Sequence, residues 1–147
     1  MNTKAKVFSN YLKEKEITVF HMEEIPEDEQ NTVSFSSHIV VEGQQLPTLV
    51  LLDNSAFTVI RVLIMNNAIT SDNELQVMYL VNNLNMGYKP FKLFFDRNGA
   101  LIMDVCMTTP GRKEGDFATL GDEIYAMLDL VIKFLGDNYR SWMKEIW

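Results

Sequence analysis

Two histidines, one cysteine and an uneven set of carboxylates are the residues here whose types could do chemistry, and none is spaced for it. His21 and His38 are far apart. His21 precedes Glu23 and Glu24, a grouping that could meet a hard metal ion, but a zinc site needs three or four N, S or O ligands in a tight constellation. A surface histidine on a strand accounts for it better. Cys106 falls mid-strand beside Asp104, away from any helix N-terminus or base that would lower its pKa. It reads as a small buried or half-buried side chain, not a nucleophile.

Phosphate and calcium chemistry fare no better. Glu23 to Glu29 lacks the alternating oxygen ligands and fixed glycine of a calcium loop. Gly111 to Gly115 lacks the Gly-Lys-Ser/Thr ending of a phosphate loop. There is no Gly-x-Ser-x-Gly elbow, no Cys-x-x-Cys and no dinucleotide fingerprint. The expectation is a non-enzymatic protein with no catalytic residue, metal or cofactor.

Charge is more informative. The formal net charge is −7, and between Ile17 and Ile60 there is no lysine or arginine. That stretch holds seven acids, while the rest of the chain carries 13 acids and 13 bases and sums to zero. Glu23, Glu24, Glu27, Asp28 and Glu29 form a candidate acidic patch. Such a patch repels phosphate backbones, so nucleic acid is disfavoured, and it would favour a basic partner segment. The blander account is a solvated edge that maintains solubility.

The elements must come from one domain, residues 1–147, long enough to bury a core without staples. One cysteine fits a reducing cytoplasm. The start of the chain has lysines but no apolar run behind them, and no segment has the length and apolarity of a membrane span. Thr3 to Glu16 reads as a helix with Val7, Phe8, Tyr11 and Leu12 on one face. Ile17 to Glu24 has strand-like composition, and Pro26 to Asn31 is a turn. Thr32 to Glu42 alternates, with Val33, Phe35, Ser37, Ile39 and Val41 on one face, as a half-buried strand does. Gly43 to Pro47 reads as a loop, Leu49 to Leu52 as a short strand and Asp53 to Ala56 as a turn.

Phe57 to Met65 is apolar almost throughout, as in strands covered on both faces. Arg61 alone interrupts it, with its stem on the sheet and its head at an acid on the rim; a ligand-binding arginine is the alternative. Ser71 to Glu74 has capping-box spacing, and the helix that follows carries Leu75, Met78, Tyr79, Val81 or Asn82, and Asn85, and stops near Gly87. Phe91 to Phe95 and Leu101 to Met107 form a hairpin across Asp96-Arg97-Asn98-Gly99, which suits a type I turn closed by a left-handed glycine. Gly111 to Gly115 reads as an open loop, with Asp116 or Thr119 as N-cap of a closing helix. Its apolar steps run from Leu120 through Ile124, Val131 and Leu135 to Trp142 and Ile146. Gly136-Asp137-Asn138 could kink or split it. Met78, Met103, Met127 and Met143 sit at core-type positions.

The expected fold is α+β, an antiparallel sheet with helices packed on one face, in the order α-β-β-β-α-β-β-α, with an extra strand near Ile17 left open. Three helices cannot easily cover both faces of the sheet, yet the hairpin is apolar on both. Phe94, Ile102 and Arg61 are therefore a candidate partner or dimer surface, and a two-fold homodimer is the commonest answer. A small-molecule regulator with a pocket between sheet and closing helix is the alternative function. A deep pocket holding Arg61 or convergent acids would favour that alternative; a flat apolar face would favour protein binding.

Several segments carry a resemblance: Val41-Glu42-Gly43, Asp53-Asn54-Ser55, Leu80-Val81-Asn82-Asn83-Leu84-Asn85 and Phe95-Asp96-Arg97-Asn98-Gly99. The final helix, through Leu128-Asp129-Leu130 to Met143-Lys144-Glu145-Ile146-Trp147, adds to it. With these the chain resembles the YbjN-type family of bacterial proteins, classed as sensory transduction regulators, with the fold of type III secretion chaperones. The resemblance implies a small acidic homodimer that holds a protein or peptide partner along apolar grooves, with no nucleotide or metal. It carries no functional residue over to this chain.

Overall fold

The computed structural model describes residues 1–111 and 113–147; Arg112, in the expected open loop, lies outside the described residues. Helix α1 (Thr3–Glu14) is followed by four strands, β1 (His21–Glu24), β2 (Val33–Val41), β3 (Gln44–Leu52) and β4 (Phe57–Met65). Helix α2 (Glu74–Gly87), strands β5 (Phe91–Phe95) and β6 (Leu101–Thr108), a short 3-10 helix (Glu114–Phe117) and helix α3 (Leu120–Ile146) complete the chain. The strands form one antiparallel sheet in the order β1-β2-β3-β4-β6-β5. This is the expected architecture with one strand more, since the open question near Ile17 resolves into β1 at the edge.

The core lies between one sheet face and the helices. Alternate residues of the central strands point into it: Phe35 and Ile39 of β2, Val50 of β3, Ile60 and Val62 of β4, Met103 and Val105 of β6. Helix α3 presents Leu120, Ile124, Leu128, Val131, Leu135, Trp142 and Ile146 to them, the stripe that steps of three and four dictate. Gly136 does not interrupt it; α3 is continuous over 27 residues. Thr119 is its N-cap residue and donates its hydroxyl to Glu123. Helix α1 packs Ala5, Phe8 and Leu12 inward. Its approach to α3 is close at Gly121, where an added Cβ would run into the Tyr11 ring.

Five sequence expectations change. Strand β3 begins at Gln44 and contains Pro47, so no loop runs from Gly43 to Pro47. Glu42 (φ 49°) and Gly43 (φ 76°) make a two-residue connection with both residues left-handed, a type I′ turn. In such a hairpin Val41 and Gln44 exchange both backbone hydrogen bonds, and the pairs alternate from there. Pro47, opposite His38, is thus at a position whose absent N–H points away from β2. Because β4 pairs only with Thr48–Leu52, no ladder bond is lost there.

Helix α2 begins at Glu74 with Asn73 as N-cap, and the Ser71–Glu74 capping box does not form. The Asn73 side chain is engaged elsewhere: its oxygen accepts from the Thr70 N–H, and its amide donates to the Ala68 and Ile146 carbonyls. Only Val77 and Val81 of α2 are buried, so Leu75, Met78 and Tyr79 face outward and Met78 is no core residue. Cys106 is exposed rather than buried, because it lies on the sheet face that carries no helix. Strand β4 has one buried and one half-exposed face, so its apolarity does not reflect cover on both sides.

Candidate protein-binding site

The helix-free face of the sheet is assembled by the cross-strand register. Leu49 sits opposite Arg61, Leu51 opposite Val59, Leu63 opposite Ile102 and Phe94 opposite Ile102. Leu49, Leu51, Val59, Leu63 and Phe94 are half-buried on this face, and Ile102 is buried among them. All three sequence-nominated surface residues, Phe94, Ile102 and Arg61, therefore converge on one face.

Arg61 does not reach an acid at the rim. It crosses to its own pairing partner, Asp104, with Nε and Nη2 each 2.8 Å from a carboxylate oxygen. Those hydrogen bonds raise the Arg61 pKa above its ordinary value, with burial acting against them. The guanidinium also lies 5.5 Å from the centre of the Phe94 ring. Asp104 is only 6% exposed, with Arg61 opposite it on β4 and Lys92 on β5. A forked pair of this kind is electrically neutral, and each partner is satisfied by the other.

The two sheet edges differ. At β5, the Asn85 side chain of α2 donates to the Leu93 carbonyl (2.9 Å) and accepts from the Leu93 N–H (2.8 Å), as a neighbouring strand would. At the other edge β1 spans only four residues, all exposed, and pairs with Val33–Ser36 alone. The remainder of β2, Ser37–Val41, has β3 on one side and no strand on the other.

Helix α2 leaves its own outward side bare. Leu75, Tyr79 and Met86 are 76%, 70% and 79% exposed, and the helix has one charged residue, Glu74. Their spacing, with Asn82 between, is the four-three-four of a coiled-coil seam.

A cleft of about 660 Å³ opens where β3 and β4 part, beside the end of α3. Gln44–Pro47 and Leu63–Met65 form its walls with Tyr139, Met143 and Trp147. Arg140 at its mouth is held by Glu42 at 2.7 Å. Arg61 is not in it.

The acidic stretch is spread over the β1 edge and the following turn. Glu24 meets the N-terminal ammonium at 3.3 Å. Asp28 accepts from both the hydroxyl and the N–H of Thr32, and those bonds lower its pKa. Among the described residues no three His, Cys, Asp or Glu side chains converge as a metal site. Sequence reasoning did not single out Lys4, which is buried where α1 meets the β3–β4 turn. Its ammonium donates to the Ser55 and Phe57 carbonyls (2.9 and 2.6 Å) and to Thr109, with Asp53 at 3.7 Å. Burial lowers its pKa and Asp53 opposes the shift. Fully engaged in this way, it is a structural clasp, and a lone lysine on a helix carries no sequence signal of that.

No family model and no curated protein matches the chain. In three dimensions it is similar to a chain of the solved structure described as "Crystal Structure of the ExsC-ExsE Complex". The match has 11% identity and a TM-score of 0.53, over 95% of this chain and 97% of that one. At that identity the likeness is one of fold. The chain thus has an α+β, type III secretion chaperone-like fold, an antiparallel sheet with its helices on one face. No helix among the described residues is long and apolar enough to cross a membrane.

Proposed function

We propose that this chain is a non-enzymatic cytoplasmic protein-binding module, a homodimer that holds part of another protein. The carrying observation is the sheet face of Leu49, Leu51, Val59, Leu63, Phe94 and Ile102, over which the chain lays no element of its own. Contiguous apolar surface of this kind marks an interaction site. The similar structure is described as a complex, which supports a protein partner. No family model matches, so the regulatory role that the resemblance to YbjN-type proteins implies is part of the proposal and not a support for it.

The second copy is assigned to α2. An antiparallel two-fold pair of α2 helices places Leu75 against the other copy's Met86 and Tyr79 against its Asn82. Such a seam is self-complementary and nearly free of charge, which matters when each copy carries −7. The sheet face, and Phe94, Ile102 and Arg61 with it, then stays free for the partner. Cys106 tests this arrangement because it is the single cysteine and stands exposed on that face. Its reaction with a thiol reagent should be as fast in the native protein as in a denatured control, within about tenfold. Strong protection that grows with protein concentration would place the dimer on the sheet and overturn the assignment.

A second reading rests on the 660 Å³ cleft, whose size suits a small ligand. It would make the chain a small-molecule regulator. Arg61 stands on the open face instead, and Arg140 is already paired, so the first reading is favoured. A thermal-shift screen of metabolite-sized aromatic and carboxylate compounds, abolished by Met143→Glu, would support the second.

A further inference from the structure

We propose that the cleft where β3 and β4 part binds an uncharged nitrogen heterocycle whose edge sets a hydrogen-bond donor beside an acceptor, as the base of a nucleoside does. This rests on the small-molecule reading of the cleft and adds the chemical class of its ligand. The cleft shares only Leu63 with the open sheet face and no residue with the α2 seam, so it stands beside the protein-binding reading. Its origin lies in one residue. Counting from the hydrogen-bonded pair Val41–Gln44, the backbone groups of Gln45, Pro47, Leu49 and Leu51 turn from β2 toward β4. The register of Thr48 with Val62 sets Pro47 opposite Leu63. The next ladder bond would need a Pro47 N–H, so the ladder stops at Thr48 and the Leu63 C=O is left without a donor from β3. Gln45, two residues before Pro47, turns both its N–H and its C=O to the same side.

The lining says what the ligand must carry. Glu42 and Arg140, the charged residues among those that line the cleft, are paired with each other at 2.7 Å and cancel. The C-terminal end of α3 forms one wall, where the helix dipole disfavours an anion, and the chain as a whole carries −7. A phosphate or carboxylate finds no counter-charge here. The polar side chains that remain are mostly amides. Gln44, Gln45 and Asn66 are exposed at the cleft, and no hydrogen bond joins their side chains to another described residue. An amide offers a donor and an acceptor side by side and matches the edge of a base bidentately. Tyr139 adds a neutral hydroxyl, because burial raises its pKa. The apolar share of the wall is Leu46, Ile64 and Met65 from the sheet and Met143 and Trp147 from the end of α3. Trp147 is 87% exposed, which leaves its ring open to stacking by a planar ligand. The volume of about 660 Å³ lies inside the range of small-molecule sites, on the order of 300–1,000 Å³. An aliphatic ligand would leave the amides unpaired, and a charged one would find no counter-ion; a base meets the amides, the ring and the neutrality together.

The test titrates adenosine, guanosine, cytidine and uridine, and then their 5′-monophosphates, into the full chain by calorimetry and tryptophan fluorescence. At least one nucleoside should bind and quench the fluorescence, and its monophosphate should bind at least tenfold more weakly. Gln45→Ala with Asn66→Ala, both at exposed positions, should weaken binding at least tenfold while the melting transition stays in place. Trp147→Leu should weaken it several-fold and remove the quenching, because the other tryptophan, Trp142, is buried. Binding by no nucleoside, a monophosphate that binds as tightly as its nucleoside, or binding unchanged in either variant would overturn the proposal. If the nucleosides fail but an aromatic carboxylate binds and is lost in Met143→Glu, the small-molecule reading survives without this ligand class. If neither kind of compound binds, both fall.

Discussion

The Asn85 side chain grips both backbone groups of Leu93, and through that contact helix α2 closes one edge of a sheet whose opposite edge stays open. An unpaired edge invites another strand, and proteins that do not use an edge cover it. Replacing Asn85 by alanine should therefore leave the Leu93 groups unsatisfied and destabilise the fold by about 1–3 kcal/mol, read from urea denaturation. It should also create a second strand-pairing site, visible as concentration-dependent aggregation that wild type lacks.

The Arg61–Asp104 fork gives a sharper contrast between single and double changes. Arg61→Leu strands a carboxylate that is nearly buried, and should cost about 1–3 kcal/mol, below the full figure for a buried pair because Arg61 is 40% exposed. Arg61→Leu with Asp104→Leu should recover most of that loss in the same denaturation series. An equal loss in single and double variants would show that the arginine packs rather than pairs.

Gly121 is an architectural glycine by position rather than by backbone angle. Its missing side chain leaves room for the Tyr11 ring, whose hydroxyl donates to Asp122 at 2.9 Å. Gly121→Ala should push α1 from α3 and lower stability by about 1–3 kcal/mol despite alanine's better helix propensity. Tyr11→Ala in the Gly121→Ala background should relieve the clash, measurable as non-additivity of the two changes.

Asp28 predicts a pH dependence. Its folded pKa is lowered by the hydrogen bonds from Thr32, so it binds its proton less readily folded than unfolded. Its contribution is present above the unfolded pKa and is lost as pH falls through the folded one. The stability difference between wild type and Asp28→Asn should therefore be found near pH 7 and vanish on acidification below the ordinary aspartate range, in urea titrations at each pH. It also means that a charge-steering test of the acidic stretch belongs to Glu23, Glu27 and Glu29, because Asp28 holds its turn together.

Much of this was legible in the sequence for local reasons. The Asp96–Gly99 hairpin is written in residues that can do little else: Asp96 Oδ1 accepts from the Asn98 and Ala100 N–H groups, and Gly99 takes φ 78°. The α3 stripe was legible because one period holds over seven turns. What failed depended on neighbours distant in sequence. Pro47 looks like a loop residue until β4 is known to stop short of it. Leu75, Met78 and Tyr79 look like a core face until Asn85 fixes the rotation of α2 on the β5 edge. The convergence of Phe94, Ile102 and Arg61 was readable from alternation, but the half-covered flank of β2 was not, since it depends on where β1 ends.

The central claim is that apolar surface left bare by this chain is covered by protein, first by a second copy on α2. Sedimentation equilibrium at ten to a hundred micromolar, on wild type and on Leu75→Glu with Tyr79→Glu, tests it most directly. The account predicts a species of twice 17.0 kDa for wild type and a folded 17.0 kDa monomer for the variant. Wild type sedimenting at 17.0 kDa throughout that range, or a variant that still dimerises, would contradict it.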